Sequence, residues 1–553
     1  MRKPTISRIP LLEKARAKSF GVTESHLGAG LPKSVRSTDY ALHPGECPKH
    51  QKGVKPFEEI PGPKPLPIIG NIWRYIPPFG PFDITKMHIN ARKMRKMFGP
   101  LVLEKVVAGR IVVHVFDPQD METVFRNEGR YPTRLSHRAL LRYRQQRPEQ
   151  YRNGGLFPSN GADWAEMRNK FQVPLMRQGH MEMYRDKLHE SAEDLIDLCS
   201  NQQYFDGKKD LTPLLYRWAL ESTGIIALDG RLGCLEASFN DRPQRLVEAI
   251  AETLNVTMLT ENGLQFWRYW DTPIYKKLVK AQDTMAEIVN GFLKEHPPTS
   301  NTTETATVLQ QFLALPGDKR DVYTMIMDLF LAGIDTTAYS MIYLLYHLAS
   351  HPECQERLRK ELLSLQARLG PRPTCRALEG CTYLRACTRE SHRLLPIALG
   401  TGRILESDII LSGYNVPAGT MMLVHSQLSS RDPDQFPNPD EFQPERWLRF
   451  HDIYKGTGAG GGKEASMRDA EKDKFCPINR GRQHHPFSYL PFGYGPRMCI
   501  GKRFAETVVN TLTFKMITKY SMEYTHDKKM DCFTRLINVP DQPLKIRFRK
   551  IEL

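Results

Sequence analysis

Residues 322–350 (VYTMIMDLFLAGIDTTAYSMIYLLYHLAS) are apolar for long enough to imitate a membrane span. Asp328 and Asp335 lie inside the stretch, and acids at mid-bilayer depth are costly and rare. A helix apolar on nearly all sides also forms the centre of a large soluble core, and that is the reading adopted here. Length alone would suggest roughly three or four domains for 553 residues. No clear composition break divides the middle of the chain, so one large α-rich unit built around this helix is expected.

The rest of the organisation follows from turn and strand signals. Residues 1–40 carry Arg2, Lys3, Arg8, Lys14, Arg16, Lys18, Lys33 and Arg36 against few acids, with no apolar run of anchor length. This reads as a mitochondrial presequence, or otherwise as a disordered basic tail. Residues 41–67 form a linker ending in the strap Pro61-Gly-Pro-Lys-Pro-Leu-Pro67, which can enter neither a helix nor a central strand. The main domain is expected over 68–553. Residues 101–118 read as a hairpin turning at Ala108-Gly109, residues 160–370 as mostly helical, and 402–425 as strands. A Gly-rich, charged segment at 453–483 reads as a flexible surface insertion.

The net charge of +16 calls for a partner or for solvent. The basic residues are spread along the chain and no nucleic-acid motif occurs, so an acidic protein or an anionic lipid fits better than nucleic acid. Ten cysteines without a CxxC pair or regular spacing argue against a disulfide framework and a zinc site. Cys476 with His484 and His485 offers too few ligands for a metal cluster.

The most informative stretch is Pro491-Phe-Gly-Tyr-Gly-Pro-Arg-Met-Cys-Ile-Gly501, running into a helix from Lys502. A cysteine between glycines before a helix N-terminus is placed to be a thiolate, with its pKa lowered by the dipole and nearby N–H groups. Glycines let the backbone approach a planar ligand, and Phe492 could screen the sulfur from water. A buried cysteine in a Gly-rich turn is the plainer alternative.

The spacing Phe492, Gly495, Arg497, Cys499, Gly501 fits FxxGxRxCxG and resembles the haem-binding loop of the cytochrome P-450 monooxygenases. The resemblance implies a mainly α fold with small β-sheets (α+β), a single domain, and haem b between the long central helix and the cysteine loop. It makes Cys499 the axial thiolate and metal ligand, a choice that favours O–O cleavage, and gives Arg497 a haem propionate to pair with. Glu390-Ser-His-Arg393 fits ExxR; read alone it is a local i,i+3 ion pair. By resemblance it joins Arg446 of Pro444-Glu445-Arg446 in a structural triad behind the thiolate loop. Ala332-Gly-Ile-Asp-Thr-Thr337 places Asp335 and Thr336 in a polar notch of the apolar helix, suited to delivering protons to bound O2. A Thr bonded to its i−4 carbonyl is the structural alternative. Trp164 and Arg168, in WxxxR, resemble the propionate-holding helix, as Arg403 does another propionate-binding position.

Arg385 and Arg389 sit four apart on the ExxR helix and so share a face; Lys502 and Arg503 follow Cys499. In the mitochondrial branch of the family, basic residues at the first two positions dock an acidic [2Fe–2S] ferredoxin. The resemblance therefore implies a ferredoxin-dependent mitochondrial enzyme on the matrix side of the inner membrane, peripherally attached. Pocket walls are expected from residues 131–158, the helix near Ala332, Ile397–Thr401 and Phe533–Leu536. The wording is most similar to invertebrate mitochondrial members, several of which hydroxylate ecdysteroids. A monooxygenase acting on foreign lipophiles and a haem-thiolate sensor without turnover stay open.

Overall fold

The long apolar stretch starts at Asp318, whose carboxylate accepts the Arg320 backbone N–H at 2.8 Å and caps the first turn. The helix runs unbroken from Lys319 to Ser350 and stops just before Pro352. By length and composition it could cross a membrane, yet 78% of its most apolar window is buried within the protein. Asp328 shows why it belongs to a protein interior. Arg144 Nη2 donates to it at 2.6 Å and the Leu156 N–H at 2.7 Å, and neither side chain of the ion pair is more than 2% exposed.

The computed structural model describes residues 53–448 and 484–551, apart from 77, 107–108, 178, 237–240, 264 and 296–305. The basic leader, most of the linker before the Pro-rich strap, the turn at Ala108, the 453–483 insertion and Cys476 lie outside the described residues. The compact unit runs from Pro56 to Leu553. The helices that position the site are α1 (Arg138–Gln145), α2 (Gly161–Met176), α3 (Thr212–Ala227), α4 (Arg242–Asn262), α5 (Pro273–Glu295), α6 (Lys319–Ser350), α7 (Thr382–Leu394) and α8 (Lys502–Lys519). Around α6 pack α3, α7 and α8.

The strands are short: β1 (Leu101–Lys105), β2 (Ile111–Val115), β3 (Thr401–Ile404), β4 (Ile409–Leu411), β5 (Tyr414–Val416), β6 (Met421–Val424), β7 (Tyr520–Tyr524), β8 (Cys532–Thr534), β9 (Asn538–Pro540) and β10 (Ile546–Lys550). The expected hairpin is present, with Leu103 opposite Val113. It extends into a four-stranded sheet of order β1-β2-β6-β3 through the parallel β2–β6 pair, so the 402–425 strand signals join a hairpin some three hundred residues upstream. The remaining strands pair in twos.

The Pro-rich strap lies against this sheet. The Leu103 N–H donates to the Pro61 carbonyl at 2.9 Å, and a Cβ at Gly62 would overlap the Leu103 carbonyl. One side of the sheet buries Ile60, Leu101, Leu103, Val113, Val115, Met422 and Val424 with Phe487, just ahead of the cysteine loop. Burial on this scale anchors the loop that follows.

Two buried ion-pair systems clamp residues 144–156 onto the first half of α6: Arg144 with Asp328, and Arg152 with Asp321 and Lys170. Removing one partner of a buried pair strands the other. Asp328→Ala should lower unfolding stability by about 3–5 kcal/mol in urea titrations. A change below about 1 kcal/mol would mean that Arg144 finds another acceptor at no cost.

Candidate functional site

The cysteine loop is shaped by two left-handed glycines, Gly493 (φ 71°) and Gly495 (φ 74°). Gly495 is doubly constrained, since a Cβ there would overlap Glu128 Oε1. The Cys499 N–H donates to the Phe492 carbonyl at 2.8 Å and the Met498 N–H to the Gly495 carbonyl at 3.0 Å, closing the loop before α8. Among the described cysteines Cys499 is exposed, whereas Cys199, Cys234, Cys354, Cys375, Cys381, Cys387 and Cys532 are buried.

The Cys499 thiol is nonetheless pushed above its ordinary range by desolvation, against opposing pulls from the Gly501 N–H, Arg168 and Lys502. The residue is reachable at the protein surface, yet enough protein surrounds the sulfur to desolvate it. The lowering expected from the helix start is present, but burial outweighs it. A Lewis acid able to take the thiol's proton would reverse the balance.

Around the loop the basic residues outnumber the acids. Arg497 lies over the Trp164 ring, 4.5 Å from its centroid, and donates Nη2 to the Ser159 carbonyl. Its Nε and Nη1 are buried without an acceptor, and its pKa is pulled down to about 8 by burial and by Arg134, Arg403 and Arg168. Arg168 donates Nη1 to the Met498 carbonyl at 2.9 Å, which ties α2 to the residue before the cysteine. Arg403 pairs through Nε with Glu128 and through Nη1 with the Gly402 carbonyl.

Arg134, which no motif singled out, donates Nη2 to the Phe157 carbonyl at 3.3 Å, while its Nε has no partner and burial lowers its pKa to about 10. Glu128 is the acid that Arg497 and Arg403 share. These residues fit a group carrying more than one negative charge. Orphaned guanidinium N–H groups and an accessible thiol in this region fit haem; Arg497, Arg168, Arg403 and Trp164 would hold its carboxylates and Cys499 its iron.

Behind the loop, Glu390, itself fully buried, is the hub of a network. Arg393 Nε and Nη2 donate to it at 2.9 and 2.8 Å, Arg446 Nε at 2.9 Å, the Trp447 indole N–H at 2.8 Å and the Gln443 N–H at 3.0 Å. Arg393 Nη1 and Nη2 also bind the carbonyls of Ser430, Pro439 and Glu441. The pair is therefore no surface decoration. Tyr489, just ahead of the loop, donates to the Arg389 carbonyl on the same helix. Phe492 is half-buried and meets His392 edge-on at 5.9 Å. His484 stacks on Phe436 and His485 faces Glu122, so the histidine pair serves packing and charge.

On α6 the notch residues Ala332, Gly333 and Thr336 are partly exposed amid buried neighbours. A Cβ at Gly333 would meet Thr223 Oγ1 at 2.9 Å and the Phe504 ring at 3.6 Å, so the notch abuts α3 and the start of α8. The helix does not loosen there. The Thr336 hydroxyl donates to the Ala332 carbonyl at 2.6 Å, the i−4 bond of the structural alternative. Asp335 is 3% exposed, its Oδ1 has no partner, and burial raises its pKa to about 7, with Arg535 pulling the other way. A carboxyl with a pKa there is able to exchange a proton near neutral pH.

Arg385 and Arg389 are exposed on α7, and Lys502 and Arg503 half-exposed on α8. Glu506 feels Lys502, Arg503 and Arg389 together, which places these cations in one neighbourhood. At the margins of the expected pocket segments, Thr133 bridges to Ile404, and the Asn538 N–H donates to the Ile397 carbonyl at 2.9 Å.

Comparisons with known proteins agree with this geometry. The family model described as Cytochrome P450 matches residues 60–548. Cytochrome P450 302a1, mitochondrial, of Drosophila melanogaster is 33% identical over 90% of this chain and 96% of that protein. Probable cytochrome P450 12a5, mitochondrial, of the same fly is 31% identical over 90% and 92% of the two chains. Probable cytochrome P450 CYP44 of Caenorhabditis elegans is 31% identical over 90% and 94%. The crystal structure of the cytochrome P450DA heme domain superposes with a TM-score of 0.68 at 19% identity, covering 90% of this chain and 98% of that one.

The raised Asp335 pKa predicts a pH-dependent cost. The carboxyl stays protonated in the fold up to about 7 but ionises from 3.8 upward when unfolded. Its contribution is therefore fully present below the unfolded value and is lost as pH rises toward the folded one. Asp335→Asn should gain on the wild type between pH 4 and 7 by roughly 4 kcal/mol at most. Parallel stability curves for the two proteins across that window would show that the carboxyl is not desolvated.

Proposed function

We propose that this chain, which belongs to the cytochrome P450 family, works in the mitochondrion as a ferredoxin-fed hydroxylase of a steroid-like lipophile, of the ecdysteroid class. Members of the family are haem-thiolate monooxygenases, and the oxidoreductase activity and haem cofactor follow from membership. Haem bound here supplies dioxygen activation: two electrons and two protons are consumed, one oxygen atom enters a C–H bond and the other leaves as water.

The chain's own residues take the remaining roles. Cys499 holds the iron, and Arg497, Arg168, Arg403 and Trp164 neutralise and orient the carboxylates, with Phe492 beside the sulfur. Asp335 passes protons inward beside the Thr336 hydroxyl. Glu390, Arg393 and Arg446 fix the loop from behind. The observation that carries the assignment is the orphaned, buried Arg497 guanidinium two residues before the accessible Cys499 in one loop. Cys499→Ala should remove the thiolate spectrum of haem-loaded protein while circular dichroism stays unchanged. A retained spectrum would assign the ligand elsewhere.

The mitochondrial site is supported by relatives that bear that word in their names and by the exposed basic group on α7 and α8. An acidic ferredoxin would meet Arg385, Arg389, Lys502 and Arg503 there. Arg385→Gln with Arg389→Gln should weaken ferredoxin-supported turnover about tenfold and flatten its salt dependence. Peroxide-driven turnover should be spared, and an equal loss in both assays would make the patch a folding element.

A lipid surface would suit another side of the molecule. Ile68, Ile69, Ile76 and Phe79 are exposed, as are Phe266, Tyr269, Trp270 and Ile274. The two groups approach through the β1–β2 hairpin, since the Asn71 N–H donates to the Lys105 carbonyl and Arg110 Nη1 to the Glu261 carbonyl, both at 2.8 Å. Co-flotation with cardiolipin vesicles tests this attachment, and protein that stays in the dense fraction would refute it.

The substrate class is tested by spin-state titration of the ferric protein with ecdysteroids, vertebrate steroids and foreign lipophiles. A saturable shift with ecdysteroids alone supports a hormone hydroxylase. A shift only with diverse foreign compounds would replace that reading with detoxification.

A further inference from the structure

Between α3 and α6, two tyrosines outside every motif meet. The Tyr216 hydroxyl is hydrogen-bonded to that of Tyr339, with the rings edge to face and their centroids 5.6 Å apart. Tyr339 is buried and stands one turn after Asp335, so the two share a helix face. With Tyr216 as donor, the Tyr339 hydrogen is left for another acceptor. Asp335 Oδ1, on that same face, is a buried acceptor without a partner.

The outer end of the pair opens outward. Tyr216 is half-buried, and Pro213, one turn earlier on α3, is exposed. Both phenols feel the Asp335 charge, which after burial is the next cause raising their pKa values. Arg535, from the turn between β8 and β9, is the cation that acts on the carboxyl itself. A pair of leucines would fill this helix contact without a polar group to satisfy, so the hydroxyls call for a use.

We propose that Tyr216 and Tyr339 form the proton inlet to Asp335. A proton taken from solvent at Tyr216 releases that phenol's own proton to Tyr339, which passes its proton through one bridging water to the Asp335 carboxylate. Each hydroxyl regains what it gives, so no charge remains on the phenols and Asp335 is recharged for its next delivery. The tyrosines act through Asp335 and are positioning residues. The inference rests on the reading of Asp335 as the acid of the relay.

The experiment uses the full haem-loaded chain with ferredoxin, its reductase and NADPH under air, and follows NADPH consumed and hydrogen peroxide released, so no substrate need be known. When the proton needed to split the O–O bond arrives late, reduced oxygen leaves as peroxide instead of going on to water. Asp335→Asn, Tyr216→Phe and Tyr339→Phe should each raise the peroxide share about threefold or more and alter the solvent deuterium isotope effect. The thiolate spectrum of all three variants, and the melting temperature of the two tyrosine variants, should stay near those of the wild type. If Asp335→Asn raises the peroxide share and neither tyrosine variant does, the inlet is overturned and the role of Asp335 stands. Should Asp335→Asn itself leave the share unchanged, the reading of Asp335 falls and the inlet with it. Lower melting temperatures in the tyrosine variants with an unchanged share and isotope effect would make the pair a helix clamp, which also overturns the inlet.

Discussion

One carboxylate, that of Glu390, holds together parts of the chain that have no other reason to meet. It accepts from side chains or backbone at Arg393, Gln443, Arg446 and Trp447, while Arg393 reaches on to the carbonyls of Ser430, Pro439 and Glu441. A buried ion pair gains little over an apolar filling, and removing one member is severe because the others are left charged in a dry interior. The residues from 430 to 447 have few strands or long helices to fix them, so this network substitutes for a hydrogen-bonded ladder. Because the thiolate loop packs against α7 through Tyr489 and Phe492, the position of the sulfur inherits the rigidity of that hub.

The face of the site toward α2 shows the opposite electrostatic design. Arg134, Arg168 and Arg403 gather around Arg497, with Glu128 shared by Arg403 and Arg497, and burial holds the pKa values of Arg134, Arg168 and Arg497 below their ordinary range. Such crowding of like charge destabilises the protein taken by itself. A dianionic ligand relieves it, so binding and folding stability are linked there by mass action. On the α6 side the buried carboxyl of Asp335 stands beside the partly exposed notch of Ala332, Gly333 and Thr336.

Much of this was legible in the sequence, for identifiable reasons. The central helix was readable because Asp318, the apolar run and Pro352 mark its start, body and end. The cysteine loop was readable because Gly493 and Gly495 are required by the backbone itself. Other features were not legible. Glu390 and Arg393 look alike at the surface or in the core until the distant Gln443 and Trp447 are brought in. Arg134, Glu128, Tyr216 and Tyr339 belong to no spacing pattern, since each acquires its meaning from a partner far away in sequence. At Cys499 the sequence reveals the pull of the helix start but not the desolvation that opposes it.

That accessible cysteine has a consequence for how the protein is assembled. Every other described thiol is buried, so Cys499 is where an oxidant reaching the newly folded chain would strike. Coordination to iron would release the thiol's proton and cover the sulfur, so uptake of the cofactor would be coupled to pH and would shield this one accessible thiol from oxidants.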